Sequence, residues 1–220
     1  MRMNRRYRDL LVFLSIAAGG MLVTGQPPIL FAVLAVIASG LALYFRQKDK
    51  VKQAAFDGVQ WSRVEVSEAV EAELRETWFF RRGTTHRISH ALTISRNDTV
   101  LNVGHGSMTS SNSHESYLVL MRRLKRDTGQ SFLVLPKKMK RWYALRKPLA
   151  EVDGYVVLGE EGAVLPDKLE GITKRLDGDE LNVEGELVLL IRKMREEAIS
   201  AESIQQFVKE ASDKLNAIQL

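Results

Sequence analysis

The chain has 220 residues, no cysteine and a formal net charge of +5 at neutral pH, which excludes disulfides and thiolate metal sites. The charge is uneven: residues 122–150 carry ten Lys and Arg against one Asp, and residues 151–220 carry eight against sixteen Asp and Glu. Such an imbalance indicates surfaces that meet charged partners and says nothing about the fold.

A long uncharged stretch near the N-terminus predicts two membrane-spanning helices. No Lys, Arg, Asp or Glu occurs from Leu10 to Phe45, a stretch longer than the roughly 20 residues that one spanning helix needs. The adjacent prolines Pro27 and Pro28 interrupt a helix, so the spans are placed at about residues 10–24 and 29–45. We therefore expect residues 1–45 to form a transmembrane hairpin.

The flanks of this stretch predict its orientation. Four arginines lie within residues 1–9, and four Lys and Arg lie within residues 46–52. The positive-inside rule then places both termini in the cytoplasm and the protein in the cytoplasmic (inner) membrane. A cleaved signal peptide is the alternative, and the second apolar run followed by basic residues argues against it.

Residues 46–60 are polar and basic, and we interpret them as a juxtamembrane tether to a cytoplasmic domain of residues 61–220. A helix is predicted from Ser67, because Val70, Leu74 and Trp78 recur at four-residue intervals.

Residues 89–107 predict a β-hairpin that turns at Asn97-Asp98. In that register Ile94 faces Leu101 and His90 faces His105, and one face of the hairpin is apolar. The two histidines are therefore predicted to be neighbours near the open end of the hairpin.

The remaining elements are read from periodicity. Residues 117–126 fit either a helix or a strand, and strands are predicted at residues 131–135, 152–158 and 187–191. The last is predicted to be central because its apolar run is nearly continuous. A short helix follows Pro166, and an amphipathic helix covers residues 201–218. The predicted fold class is a membrane-anchored α+β protein with a mainly antiparallel sheet and a C-terminal amphipathic helix.

Four histidines within a short stretch, His86, His90, His105 and His114, are candidate ligands for a divalent metal such as zinc. Glu115 or Asp98 would add a carboxylate. Their spacing matches no metal-binding motif, so the favoured interpretation is a pair of partly buried histidines, and no cofactor is expected.

A basic block carries the excess charge of residues 122–150 and surrounds two aromatic residues. It comprises Arg122, Arg123, Lys125, Arg126, Lys137, Lys138, Lys140, Arg141, Trp142, Tyr143, Arg146 and Lys147. Such residues suit contact with anionic lipid headgroups or with a nucleic-acid backbone. Lipid contact, or docking on the acidic residues 151–220, is favoured over nucleic acid because the domain is expected to be tethered at a membrane.

Three functions remain open on these observations. The preferred one is a non-enzymatic subunit or accessory component of a membrane complex, associated with other subunits or with itself, whose domain binds a protein, a lipid headgroup or a small ligand. The alternatives are a membrane-anchored metal-dependent hydrolase or nuclease that uses the histidines, and a ligand-sensing membrane effector. The sequence carries no catalytic motif that would decide for an enzyme.

Overall fold

The computed structural model describes residues 28–81, 85–106, 115–142, 148–163 and 165–218. It divides the chain into two units, residues 1–54 and residues 55–220. The first described element is helix α1, Pro28–Asp57, which begins in the first unit and ends in the second.

Helix α1 corrects the membrane prediction. It continues without a break through Arg46, Lys48, Asp49, Lys50 and Lys52, so residues 46–57, which were predicted as a tether, belong to the same helix. Across the described ranges, no helix is both long enough and apolar enough to cross a bilayer. The predicted membrane-anchored fold class, with a transmembrane helix at residues 29–45, is therefore wrong, whereas the location of the protein in a membrane stays a prediction. The first predicted span, residues 10–24, lies outside the described residues.

In the described part of the second unit, nine strands form one sheet in the order β1-β2-β3-β4-β9-β8-β5-β7-β6, and every neighbouring pair is antiparallel. The strands are β1 Ser62–Arg63, β2 Thr85–Thr93, β3 Asp98–Gly106, β4 Glu115–Arg123, β5 Ser131–Pro136, β6 Ala150–Val152, β7 Tyr155–Gly159, β8 Glu180–Glu184 and β9 Leu187–Arg195. The helices are α2 Glu68–Glu76, α3 Leu169–Leu176 and α4 Ala201–Ala217, with short 3₁₀ turns at Lys137–Trp142 and Glu196–Ala198.

Both faces of the sheet are buried. On one face, Leu118, Phe132 and Leu190 pack with apolar residues of α3, of α4 and of the last turn of α1. On the other face, Leu101, Val119 and Leu189 pack under α2 and Phe79, and Leu133 and Val156 pack under Trp78. The central strands therefore carry apolar residues at successive positions, as strands covered on both sides do.

Local chemistry explains where several elements begin and turn. The Ser67 hydroxyl caps α2 by accepting from the Val70 amide, and Ser200 and Ser203 form a reciprocal capping box at α4. Asp153 and Gly154 both have positive φ, the geometry of a two-residue hairpin turn. The single strand predicted at residues 152–158 is therefore two strands, β6 and β7.

The other element predictions agree more closely with the structure. Of residues 117–126, which fitted a helix or a strand, residues 117–123 lie in β4, and residues 187–191 lie in β9 between β4 and β8. The predicted short helix after Pro166 is α3, and the predicted C-terminal helix is α4. Strand β8 was not predicted, because Glu180, Asn182 and Glu184 break its apolar pattern.

A buried ionic network fixes α3 and α4 on the sheet. Asp179, which is 3% exposed, accepts two hydrogen bonds from Arg192 at 2.8 and 2.7 Å and one from Lys214 at 2.7 Å. Lys214 also donates to the Leu176 carbonyl at the end of α3 at 2.8 Å, and Arg192 also donates to Glu210 at 2.7 Å. One carboxylate thus joins β9, α3 and α4.

We predict that Asp179→Asn lowers the free energy of unfolding by about 3 kcal/mol, because it leaves two partly buried cations without their shared anion. Urea unfolding followed by circular dichroism measures this loss. Asp167→Asn, at an exposed position, is the control and should cost less than about 0.5 kcal/mol. A loss below about 1 kcal/mol for Asp179→Asn would show that the network does not hold these helices.

Candidate functional site

The structure separates the histidines that were predicted to be neighbours. His86 is the register partner of His105, whereas His90 is opposite Asn102. The prediction that His90 faces His105 across the hairpin is therefore wrong. His114 lies outside the described residues, and the side chains of His86 and His105 are outside the described part as well.

Two features of the hairpin change its register. The pairing shifts between Ile88 and His90, so Ser89 is the extra residue of a β-bulge. The turn is also wider than predicted, since Thr93 pairs with Thr99 and the Ser95 hydroxyl accepts from the amides of Asn97 and Asp98. A serine-capped turn replaces the two-residue turn at Asn97-Asp98.

The metal-site hypothesis gains no support from the described side chains. Within those residues, no group of three or more His, Asp or Glu comes together in a way that would hold a metal ion. Asp98, one of the two added carboxylates, is engaged by Arg122, which donates to it at 2.8 and 3.0 Å.

His90 instead stands at the start of a polar network that runs into the core. Its ring stacks on Phe56 with the centroids 4.8 Å apart, and its Nδ1 is 3.3 Å from the Ser89 hydroxyl. That hydroxyl donates to the Asn102 side-chain oxygen at 2.6 Å, and the Asn102 amide donates to Ser116 at 2.9 Å. Asn102 and Ser116 are fully buried, so the network satisfies polar groups that the core encloses.

A groove lies beside this network. Its volume is about 390 Å³, and it lies between residues 63–66 with Glu71 on one side and residues 88–91 on the other. This volume is within the roughly 300–1,000 Å³ of ligand sites. The groove presents the side chains of Arg63, Glu65, Glu71 and His90 and therefore combines an apolar wall with charged groups of both signs.

The outer edge of β2 forms one wall of the groove. Strand β1 pairs only with Leu92 and Thr93, and the Val64 amide adds one hydrogen bond to the Ala91 carbonyl at 3.1 Å. No other strand in the described ranges pairs with this edge. The N–H and C=O of one strand residue point to the same side of the strand, and successive residues alternate between the two sides. The Ala91 carbonyl is directed to the outer edge, and the bulge at Ser89 adds one residue to the alternation. The next residue whose backbone faces the groove is therefore Ile88.

The basic block does not act as one surface in the described residues. Arg122 and Arg123 are neighbours on β4, so their side chains lie on opposite faces. Arg122 binds Asp98 and donates to Asn216 at 2.7 Å, whereas Arg123 pairs with Glu73 of α2. The hydrogen bonds to Glu73 raise the pKa of the Arg123 guanidinium, against the opposing effect of burial.

The rest of the block is only partly described. Lys137 pairs with Glu151, which is a contact of the kind predicted between the block and the acidic residues 151–220. Lys125, Arg126 and Lys138 are exposed. The side chains of Lys140, Arg141 and Trp142 and the whole of Tyr143, Arg146 and Lys147 lie outside the description, so lipid or phosphate binding by the block stays a prediction.

One carboxyl on the sheet face that Trp78 covers has a pKa that is shifted by burial. Burial raises the pKa of Glu184, against a hydrogen bond from Ser131 and the charge of Arg81, both of which lower it. Among the described atoms the Glu184 Oε2 has no hydrogen-bond partner. The Ser131 hydroxyl also accepts from the Trp78 indole at 3.0 Å, so the Glu184 carboxyl is held close to an apolar cover.

Sequence reasoning missed the groove, and one signal could have found it. The alternation Val64-Glu65-Val66 is typical of a short edge strand and would have placed a segment beside the hairpin. Comparison with protein-family models, with curated proteins and with solved structures found no match. The site is therefore interpreted from its own geometry.

We predict that Glu184→Gln raises the free energy of unfolding at neutral pH, because a buried charge is removed. A carboxyl whose pKa is higher in the folded state binds its proton more tightly there than in the unfolded chain. Its contribution to stability is therefore full at low pH and falls as the pH rises through the native pKa.

The gain in the free energy of unfolding from Glu184→Gln should consequently shrink as the pH is lowered below the native pKa of Glu184. Urea unfolding at a series of pH values measures it, and Glu161→Gln, in an exposed turn, controls for the loss of one negative charge. A gain that is the same at every pH would contradict the assignment of the effect to ionisation of Glu184.

Proposed function

We propose that this chain is a non-enzymatic component of a protein assembly, and that its sheet domain binds an extended segment of a partner polypeptide along β2. The observation that carries the proposal is the outer edge of β2, which β1 covers at only two paired residues and which faces the groove. A sheet edge whose backbone groups are open is a template for an added strand.

The dimensions of the edge suit a short peptide. Residues 85–90 of β2 extend beyond the part paired with β1, which at about 3.3 Å for each residue gives roughly 20 Å of strand. An added strand would hydrogen-bond to the backbone at Ile88, and its alternate side chains would enter the groove. Glu65 would then select among partner side chains by charge, since Arg63 already pairs with Asp57 and Glu71 with Arg75.

The chemistry at His90 supports binding over catalysis. A serine nucleophile needs a histidine that removes its proton, but the Ser89 hydroxyl directs its proton to Asn102 at 2.6 Å. The His90 Nδ1, 3.3 Å from the Ser89 hydroxyl, links the imidazole to the same network. Ser89 is held as a structural link between the strands and is not activated as a nucleophile.

We predict that a photoreactive amino acid placed at Val64, which is 43% exposed in the groove, crosslinks in the native cells to one short segment of a partner protein. The same amino acid at Glu161, in an exposed turn, is the control and should not give that product. Crosslinks from Val64 to lipid or small molecules alone, or to no defined peptide, would contradict the proposal.

A synthetic peptide of the crosslinked segment extends the test. Val64→Lys should weaken its binding by about tenfold or more, because a long charged side chain then occupies the groove wall. Val64→Ile keeps the wall apolar and should bind like the unmodified chain. Isothermal titration measures both, and equal binding by Val64→Lys would exclude the groove as the site.

A further inference from the structure

The first unit carries a row of apolar side chains that the structure leaves exposed. On α1, Val33, Val36, Ile37, Leu41, Leu43, Tyr44 and Val51 are each at least 44% exposed, and Val36 reaches 72%. Large exposed apolar patches mark surfaces that are covered by a partner. The groove at β2 belongs to the other unit and does not use these residues.

The spacing of these residues indicates what kind of surface it is. Ile37, Tyr44 and Val51 are seven residues apart, and Leu41 is four residues after Ile37. With 3.6 residues in each turn, they form a seam along one side of the helix. A seven-residue apolar repeat is the pattern by which one helix packs against another, so the surface fits a helix as its partner.

We propose that this partner is α1 of a second copy, packed antiparallel. A self-complementary contact about a two-fold axis needs no further component.

The charges on α1 set the antiparallel direction. Arg46, Lys48, Lys50 and Lys52 lie in the C-terminal half of the helix with Asp49 as the sole acid among them. A parallel pair would bring two basic halves together, whereas an antiparallel pair places each basic half beside the uncharged half of the partner. The middle of the row, near Leu41, then lies at the two-fold axis.

Because the natural chain has no cysteine, single cysteine variants test the arrangement directly. In the full chain, purified in mild detergent and oxidised, Leu41→Cys should form a disulfide-linked dimer, since each Leu41 lies close to its symmetry mate. Val33→Cys alone should not, whereas mixing the Val33→Cys and Val51→Cys variants should give a crosslinked dimer. Self-crosslinking by Val33→Cys would overturn the antiparallel arrangement.

The molar mass of the assembly that the full chain forms in solution is the second test. Light scattering in mild detergent should give a dimer for the unmodified chain and a monomer for Ile37→Ser/Tyr44→Ser/Val51→Ser, which removes the seam and keeps the second unit intact. Glu161→Ser, in an exposed turn of the second unit, is the control and should remain a dimer. A monomer for the unmodified chain would overturn the proposal and would mean that detergent or lipid covers the row.

Discussion

The constraint on which this structure depends is that its central strands are apolar toward both faces. Successive residues of β4, β5 and β9, such as Leu189, Leu190 and Ile191, are buried without alternation. A sheet built from such strands must be covered on both sides. Helices α3 and α4 cover one face, and α2 with Trp78 and Phe79 covers the other. Among the described residues, the edges of the sheet are what these covers leave available to a partner.

Polar groups inside this core determine where the covering elements sit. The Asn182 oxygen accepts from the Phe79 amide at 2.7 Å and holds the segment after α2 on its face, while Asp179 does the same for α3 and α4 on the opposite face. Each polar group would be costly if left without a partner. The apolar residues therefore supply most of the driving force for folding, and the polar contacts select one arrangement of the covers.

The elements with a strong local pattern were predictable, and those set by distant contacts were not. The apolar run of residues 187–191 and the apolar stripe of residues 201–218 indicate burial from the sequence alone, so β9 and α4 were expected. The bulge at Ser89 and the turn capped by Ser95 each depend on one hydroxyl group, and such a contact leaves no periodic pattern in the sequence. The uncharged stretch before Phe45 indicated two spans by composition, but composition did not reveal that the helix begun at Pro28 runs on to Asp57. The groove was missed because β1, α2 and β2 each contribute only part of it.

Amide hydrogen exchange along β2 of the free protein tests the central functional claim most directly. If the outer edge is open, the Ile88 amide should exchange at a rate close to that of an exposed loop, while the Leu92 amide, which is directed toward β3, should be strongly protected. Protection of Ile88 equal to that of Leu92 would mean that another part of the protein already covers the edge. In that case β2 could not accept a partner strand.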